Sequence, residues 1–158
     1  MKNLIIYYSL DGNTRFVANI IKRQIESDIL ELKLMKDFKY KSFLKLFWGG
    51  REVVMKKCPE IENFDIDFDN YDNIFIGTPV WVGTFAPPIR TFFNKVKLLN
   101  KKIVLFCCYG GSEGKTFIEM KKVLKDNEVI STFGIKEPIK NKIEGEEKVL
   151  SFIQSLNF

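Results

Sequence analysis

Histidine is absent from this chain of 158 residues. That absence excludes Ser-His-Asp and Cys-His nucleophile pairs, histidine metal ligands and imidazole proton relays together. Cysteine is scarce, with only Cys58, Cys107 and Cys108, and no CxxC spacing. An odd count without such spacing argues against a disulfide framework and for a reducing, cytoplasmic setting. Long hydrophobic runs are missing too. The N-terminal run Leu4 to Tyr8 is too short for a signal core or a membrane span. Repeats, low-complexity tracts and linkers are also lacking, and the length suits one domain over 1–158.

Present instead is an ordinary globular composition, 46% hydrophobic, with a modest basic excess of 25 Lys+Arg over 20 Asp+Glu, giving a net charge of +5. The excess suits an acidic partner, but no stacked-aromatic RNA motif or zinc module accompanies it, so it does not read as nucleic-acid binding. The charge is local. Residues 36–57 carry seven Lys/Arg against Asp37 and Glu52, and residues 60–72 carry six acidic groups and no basic one. Phe43, Leu44, Phe47 and Trp48 share one helical face of that basic segment. This reads as a crossover helix with a solvated basic side, or as a docking face for an anionic partner or lipid headgroups.

Apolar stretches alternate with helical patterns. KNLIIYYS, DILELKL, DNIFIGT and KIVLFCC read as strands, with a weaker one at Val129 to Ile135. Phe16, Val17, Ile20, Ile21 and Ile25 recur at helical spacing after Asn13. Further helices are expected after Pro87-Pro88, over Glu113 to Lys125 and over Lys140 to Leu156. A helix between successive strands specifies an α/β fold, a parallel sheet covered on both faces. Ligands in such sheets sit beyond the carboxyl ends of the strands, where strand order reverses.

Three segments at those ends carry unusual chemistry. SLDGNT (Ser9, Leu10, Asp11, Gly12, Asn13, Thr14) leaves a strand and enters a helix. Its amides and short polar side chains suit a phosphate held without a cation. A Walker loop is excluded for want of GK[ST]. Asp11 fits poorly, since its carboxylate would repel a phosphate unless turned outward; the plain alternative is a turn with Asn13 or Asp11 as N-cap. Pro79, Val80, Trp81, Val82 and Gly83 form a second loop, whose Trp81 is placed either to cover a planar ligand or to plug the loop. Cys108, Tyr109, Gly110 and Gly111 open a third, with Tyr109 as a second aromatic that would face Trp81 and Glu113 near the next helix. Adjacent Cys107 and Cys108 would close a disulfide only through a strained peptide, so buried thiols are expected.

Taken together and in order, SLDGNT, GTPVWVGTFAPPIRTFF and GGSEGKTF resemble the flavodoxins and flavodoxin-like FMN proteins of the short-chain type, over nearly the full length. The resemblance implies a three-layer sandwich with a five-stranded parallel sheet of order 2-1-3-4-5, and FMN as cofactor. It implies Ser9, Gly12, Asn13 and Thr14 around the phosphate, Trp81 and Tyr109 at the isoalloxazine, and Cys108, Gly110 and Gly111 at its pyrimidine side. The expected function is electron transfer, with flavin cycling through a semiquinone between redox partner proteins. The alternative is an NAD(P)H-dependent FMN oxidoreductase acting on quinones or another small acceptor. A flavin-free receiver module is disfavoured, because Thr78-Pro79 stands where a phosphorylatable Asp would be needed.

Overall fold

The computed structural model describes residues 1–35 and 58–156. The basic 36–57 segment and its apolar face lie outside them. Five parallel strands form the sheet: β1 (Asn3–Tyr7), β2 (Asp28–Glu31), β3 (Asn73–Trp81), β5 (Lys102–Tyr109) and β6 (Glu128–Lys136). Their order is β2-β1-β3-β5-β6, the expected 2-1-3-4-5 arrangement. A two-residue β4 (Thr84–Phe85) is a sixth strand, pairing antiparallel with the end of β3. The chain steps from β1 outward to β2, then back past β1 to β3, so the order reverses between β1 and β3.

Helices α1 (Asn13–Gln24) and α4 (Lys142–Gln154) cover one face, and α2 (Pro87–Lys95) and α3 (Thr116–Val123) the other. Strands β1, β3 and β5 alternate their side chains between two cores. Ile5, Phe75, Val104 and Phe106 meet Val17, Ala18, Ile20 and Ile21 of α1, whereas Leu4, Ile74, Ile76, Ile103 and Leu105 meet Ile89 and Phe92 of α2. Burial on both faces explains why these strands read as continuous apolar runs. Each large apolar side chain fully removed from water contributes roughly 1.5–3 kcal/mol, so the α1 stripe alone secures that helix. Lys22 and Arg23 in its last turn complement the helix dipole.

Three boundaries differ from the sequence reading for a local reason. β3 does not stop at Thr78 but continues to Trp81, because Val80 and Trp81 fold back onto Phe85 and Thr84. The third long helix starts at Thr116, not Glu113, since Gly114 has φ 56°, outside helical backbone. The last helix is likewise preceded by a 3-10 turn over Pro138–Asn141.

Candidate functional site

Parallel pairing brings the carboxyl ends of β1, β3 and β5 side by side, and with them the three singled-out segments. Gly12 is the N-cap residue of α1, with φ 94° and no atom within 4 Å of where a Cβ would stand. No side chain caps the helix from that position. The loop is instead braced internally. Ser9 Oγ accepts from the Gly12 amide at 3.2 Å. Asp11 does not turn outward: its carboxylate accepts from the Asn13 amide at 3.1 Å and from Asn13 Nδ2 at 2.9 Å. An orphan amide at the positive end of a helix is the nearest strong donor, and the carboxylate takes the place an external anion would take. Asn13 Oδ1 in turn accepts from the Ile139 amide at 3.2 Å, tying the loop to the turn after β6. Asn13 is thus a brace across the site as well as a donor.

Thr14 behaves differently. Its Oγ1 is buried and makes no hydrogen bond of normal geometry. Its polar neighbour is the soft Cys108 thiol, on whose ionisation it acts weakly against the larger effect of burial. A buried hydroxyl left this way costs roughly 1–3 kcal/mol, which an acceptor entering the loop would recover. An orphaned hydroxyl, an open glycine and a helix start together fit a phosphate group. Arg15, one residue on, is the cation that the loop itself lacks, but its guanidinium is bound to Glu31. It falls outside SLDGNT, so that motif does not reveal it. The signal was its place in the first turn of the helix.

Trp81 is half-buried and stands edge-on against Tyr8, ring centroids 5.8 Å apart and planes at 86°. Tyr8, the end of the first apolar run, was not singled out, yet it supports the Trp. Burial first and Asp11 second push its hydroxyl up to about 12, so it stays neutral. Val82 (φ 52°) and Gly83 (φ 76°) make the two-residue turn between β3 and β4. A β-branched residue at positive φ is strained. The turn is held from outside: the Lys115 amide donates to Gly83 O at 2.7 Å, and Gly114 lies so close that a Cβ there would be 2.5 Å from that oxygen. Thr78 Oγ1 also accepts from the Ala86 amide at 3.0 Å, fixing the entry to α2.

Tyr109 leans the other way. A Cβ on Gly134 would lie 3.2 Å from its Cε1 and 2.6 Å from Glu113 Oε2, so ring and carboxylate both rest over β6. Trp81 is drawn toward β1 and Tyr109 toward β6, on opposite sides of the space above β3 and β5. Gly110 and Gly111 are exposed beside that space. Cys107 and Cys108 are buried free thiols, as expected. Burial raises both, Cys108 to about 12, so neither is a thiolate near neutrality. Among the described residues no cluster of potential metal ligands occurs, and no helix is long and apolar enough to cross a membrane.

A parallel sheet of this order, with a glycine-capped loop between its first strand and first helix and aromatics closing β3 and β5, defines a flavodoxin-like protein. Residues 2–132 match the flavodoxin family model, and the chain belongs to the flavodoxin family. It is 30% identical over 139 residues to the flavodoxin-like domain-containing protein BilS of Clostridioides difficile, covering 84% of this chain and 64% of that protein. It is 29% identical to a Lactobacillus acidophilus flavoprotein solved in complex with FMN, with a TM-score of 0.68 over 90% of this chain and 97% of that one. Oxidised flavodoxin 2 from Bacillus cereus shares the fold at 22% identity, with a TM-score of 0.61 over 96% and 94% of the two chains.

Proposed function

We propose that this chain binds FMN and carries electrons one at a time between redox partners. The observation that carries the reading is the loop after β1, where the buried Thr14 hydroxyl, without a hydrogen bond of normal geometry, and the open Gly12 suit a phosphate. When bound, FMN supplies the electron-accepting ring, and the chain supplies position and surroundings. Thr14 and the first amides of α1 hold the phosphate as a handle rather than a reacting group. Trp81, fixed by Tyr8, would flank the ring, and Gly110 and Gly111 would meet its polar edge. The Val82–Gly83 turn, clamped through Gly83 O, fixes the backbone beside the ring. The neutral Tyr8 and the two protonated thiols add no charge at this end of the sheet.

The test is a reductive titration of the FMN-loaded protein. A half-reduced species, stable between oxidised and fully reduced forms, is the expected result; direct two-electron bleaching with none overturns the carrier reading. Failure to retain added FMN removes the proposal altogether.

The second reading, an NAD(P)H-dependent FMN oxidoreductase for quinones or another small acceptor, is favoured by one observation. Tyr109 rests over Gly134, and a ring held toward β6 would leave room for a hydride donor to approach. Rapid aerobic turnover with NADH or NADPH would establish this reading in place of the first.

A further inference from the structure

Helix α3 has an outward face that neither core uses. Its inward side buries Thr116, Met120 and, just past its end, Leu124. Ile118 points away from these and is 58% exposed. Lysines stand around it at i−3, i+3, i+4 and i+7: Lys115, Lys121, Lys122 and Lys125, all exposed. A lone exposed isoleucine means nothing by itself. An apolar centre ringed by like charges has the anatomy of an interface, with an apolar middle and a charged rim.

The plain explanation is a lysine-rich last turn complementing the helix dipole, which accounts for Lys121 and Lys122. It does not account for Lys115, the N-cap residue, where a cation meets the positive end. Nor does it account for the crowding of like charge where Lys125, in the turn just past the helix end, joins Lys121 and Lys122. The local acids are turned elsewhere. Glu119, the acid of α3, accepts from Thr84 Oγ1, and Asp126 pairs with Lys97 at 3.7 Å. Among the described residues none of the four lysines lies within ion-pair distance of a carboxylate. The charge on this face is therefore uncompensated.

The face is also joined to the candidate site. Lys115 donates its amide to Gly83 O, and Glu119 holds Thr84, so α3 is hydrogen-bonded at two points to the turn that borders the proposed cofactor. A protein seated on α3 would lie beside that turn. We propose that the outward face of α3 is the docking surface for an acidic protein partner, with an apolar contact on Ile118 and carboxylates on Lys115, Lys121, Lys122 and Lys125. This deepens the electron-carrier reading and rests on it for the partner's being a redox protein; the docking itself does not.

The test uses the FMN-loaded, nitrogen-15-labelled protein titrated with an acidic [2Fe–2S] ferredoxin as probe, and separately with basic cytochrome c. Amide shifts confined to 115–125 and 82–84, weakened as ionic strength rises, are expected with the ferredoxin and not with the cytochrome. Lys121→Glu with Lys122→Glu should lower the ferredoxin affinity at least tenfold, while Lys121→Arg with Lys122→Arg keeps it. FMN affinity should be unchanged in both variants, and melting temperature should hold in the arginine pair and fall slightly in the glutamate pair, whose carboxylates meet the negative end of α3. Shifts centred on 36–57 or on α4, no response at low ionic strength, or equal binding of cytochrome c would overturn the proposal. Loss of the cofactor reading shows separately, as failure to quench FMN fluorescence before any probe is added.

Discussion

Two strand-to-helix junctions in this protein are built from similar parts and do different things. One runs from β1 into α1 through Gly12, the other from β5 into α3 through Gly114. Each has a glycine at positive φ just before the helix, and each buries in the helix's first turn a threonine hydroxyl, Thr14 or Thr116, that makes no hydrogen bond of normal geometry. Gly12 faces open space, whereas Gly114 is pressed against the backbone of Gly83. The first junction is a cradle and the second a clamp. A left-handed glycine is a backbone permission only; the neighbour it meets decides its use.

Six substitutions and one pH change would break or sharpen that contrast. Gly114→Ala should cost most, about 3 kcal/mol in chemical denaturation, because the methyl meets the Gly83 carbonyl and the φ of 56° is also strained. An unaltered midpoint would mean the clamp is not holding.

Thr14→Val should weaken FMN binding by about 10- to 100-fold, the worth of a hydrogen bond to a charged acceptor, while raising apo stability by about 1 kcal/mol. Thr116→Val, made alongside, should leave FMN affinity within about twofold, since no phosphate is assigned to that junction. Equal losses by fluorescence titration would erase the difference between them.

Alkaline unfolding probes the groups under the cradle. Tyr8 has its pKa raised from 10.0 to about 12, and Cys108 from 9.0 to about 12. The unfolded chain releases these protons first, so their contribution is complete below pH 9 and is lost as pH climbs to about 12. Stability should fall there by about 2 kcal/mol for Tyr8 alone. Tyr8→Phe should remove that share of the slope.

Asp11→Ser should tighten FMN binding by about tenfold, since it frees the Asn13 amide and removes a like charge from the anion's place. Weaker binding would show instead that the carboxylate's brace on Asn13 matters more than its charge. The smallest effect is expected at the turn beside the clamp. Val82→Asn should raise apo stability by about 1 kcal/mol, because asparagine tolerates positive φ and valine does not.

Most of the fold was legible because strands buried on both faces write themselves as apolar runs, and helices between them as a 3.6-residue stripe. What escaped was set by distant partners. The extension of β3 to Trp81 and the existence of β4 depend on a turn closing on itself. The site was legible as three loops but not as an arrangement. Nothing in CCYGG tells that Tyr109 will settle over Gly134, a residue 25 positions later (134 − 109). Nothing in SLDGNT shows that Asn13 will reach Ile139.

The amino-acid sequence by itself determined the sheet, its helices, the absence of imidazole chemistry and the glycine-containing strand-to-helix loop, since each follows from local periodicity and from which side chains exist. The tertiary structure alone decided which way Asp11, Trp81 and Tyr109 turn, and which glycine is a cradle and which a clamp. Those outcomes depend on the nearest donor, ring or backbone across the sheet edge, and chain neighbours do not specify who arrives there.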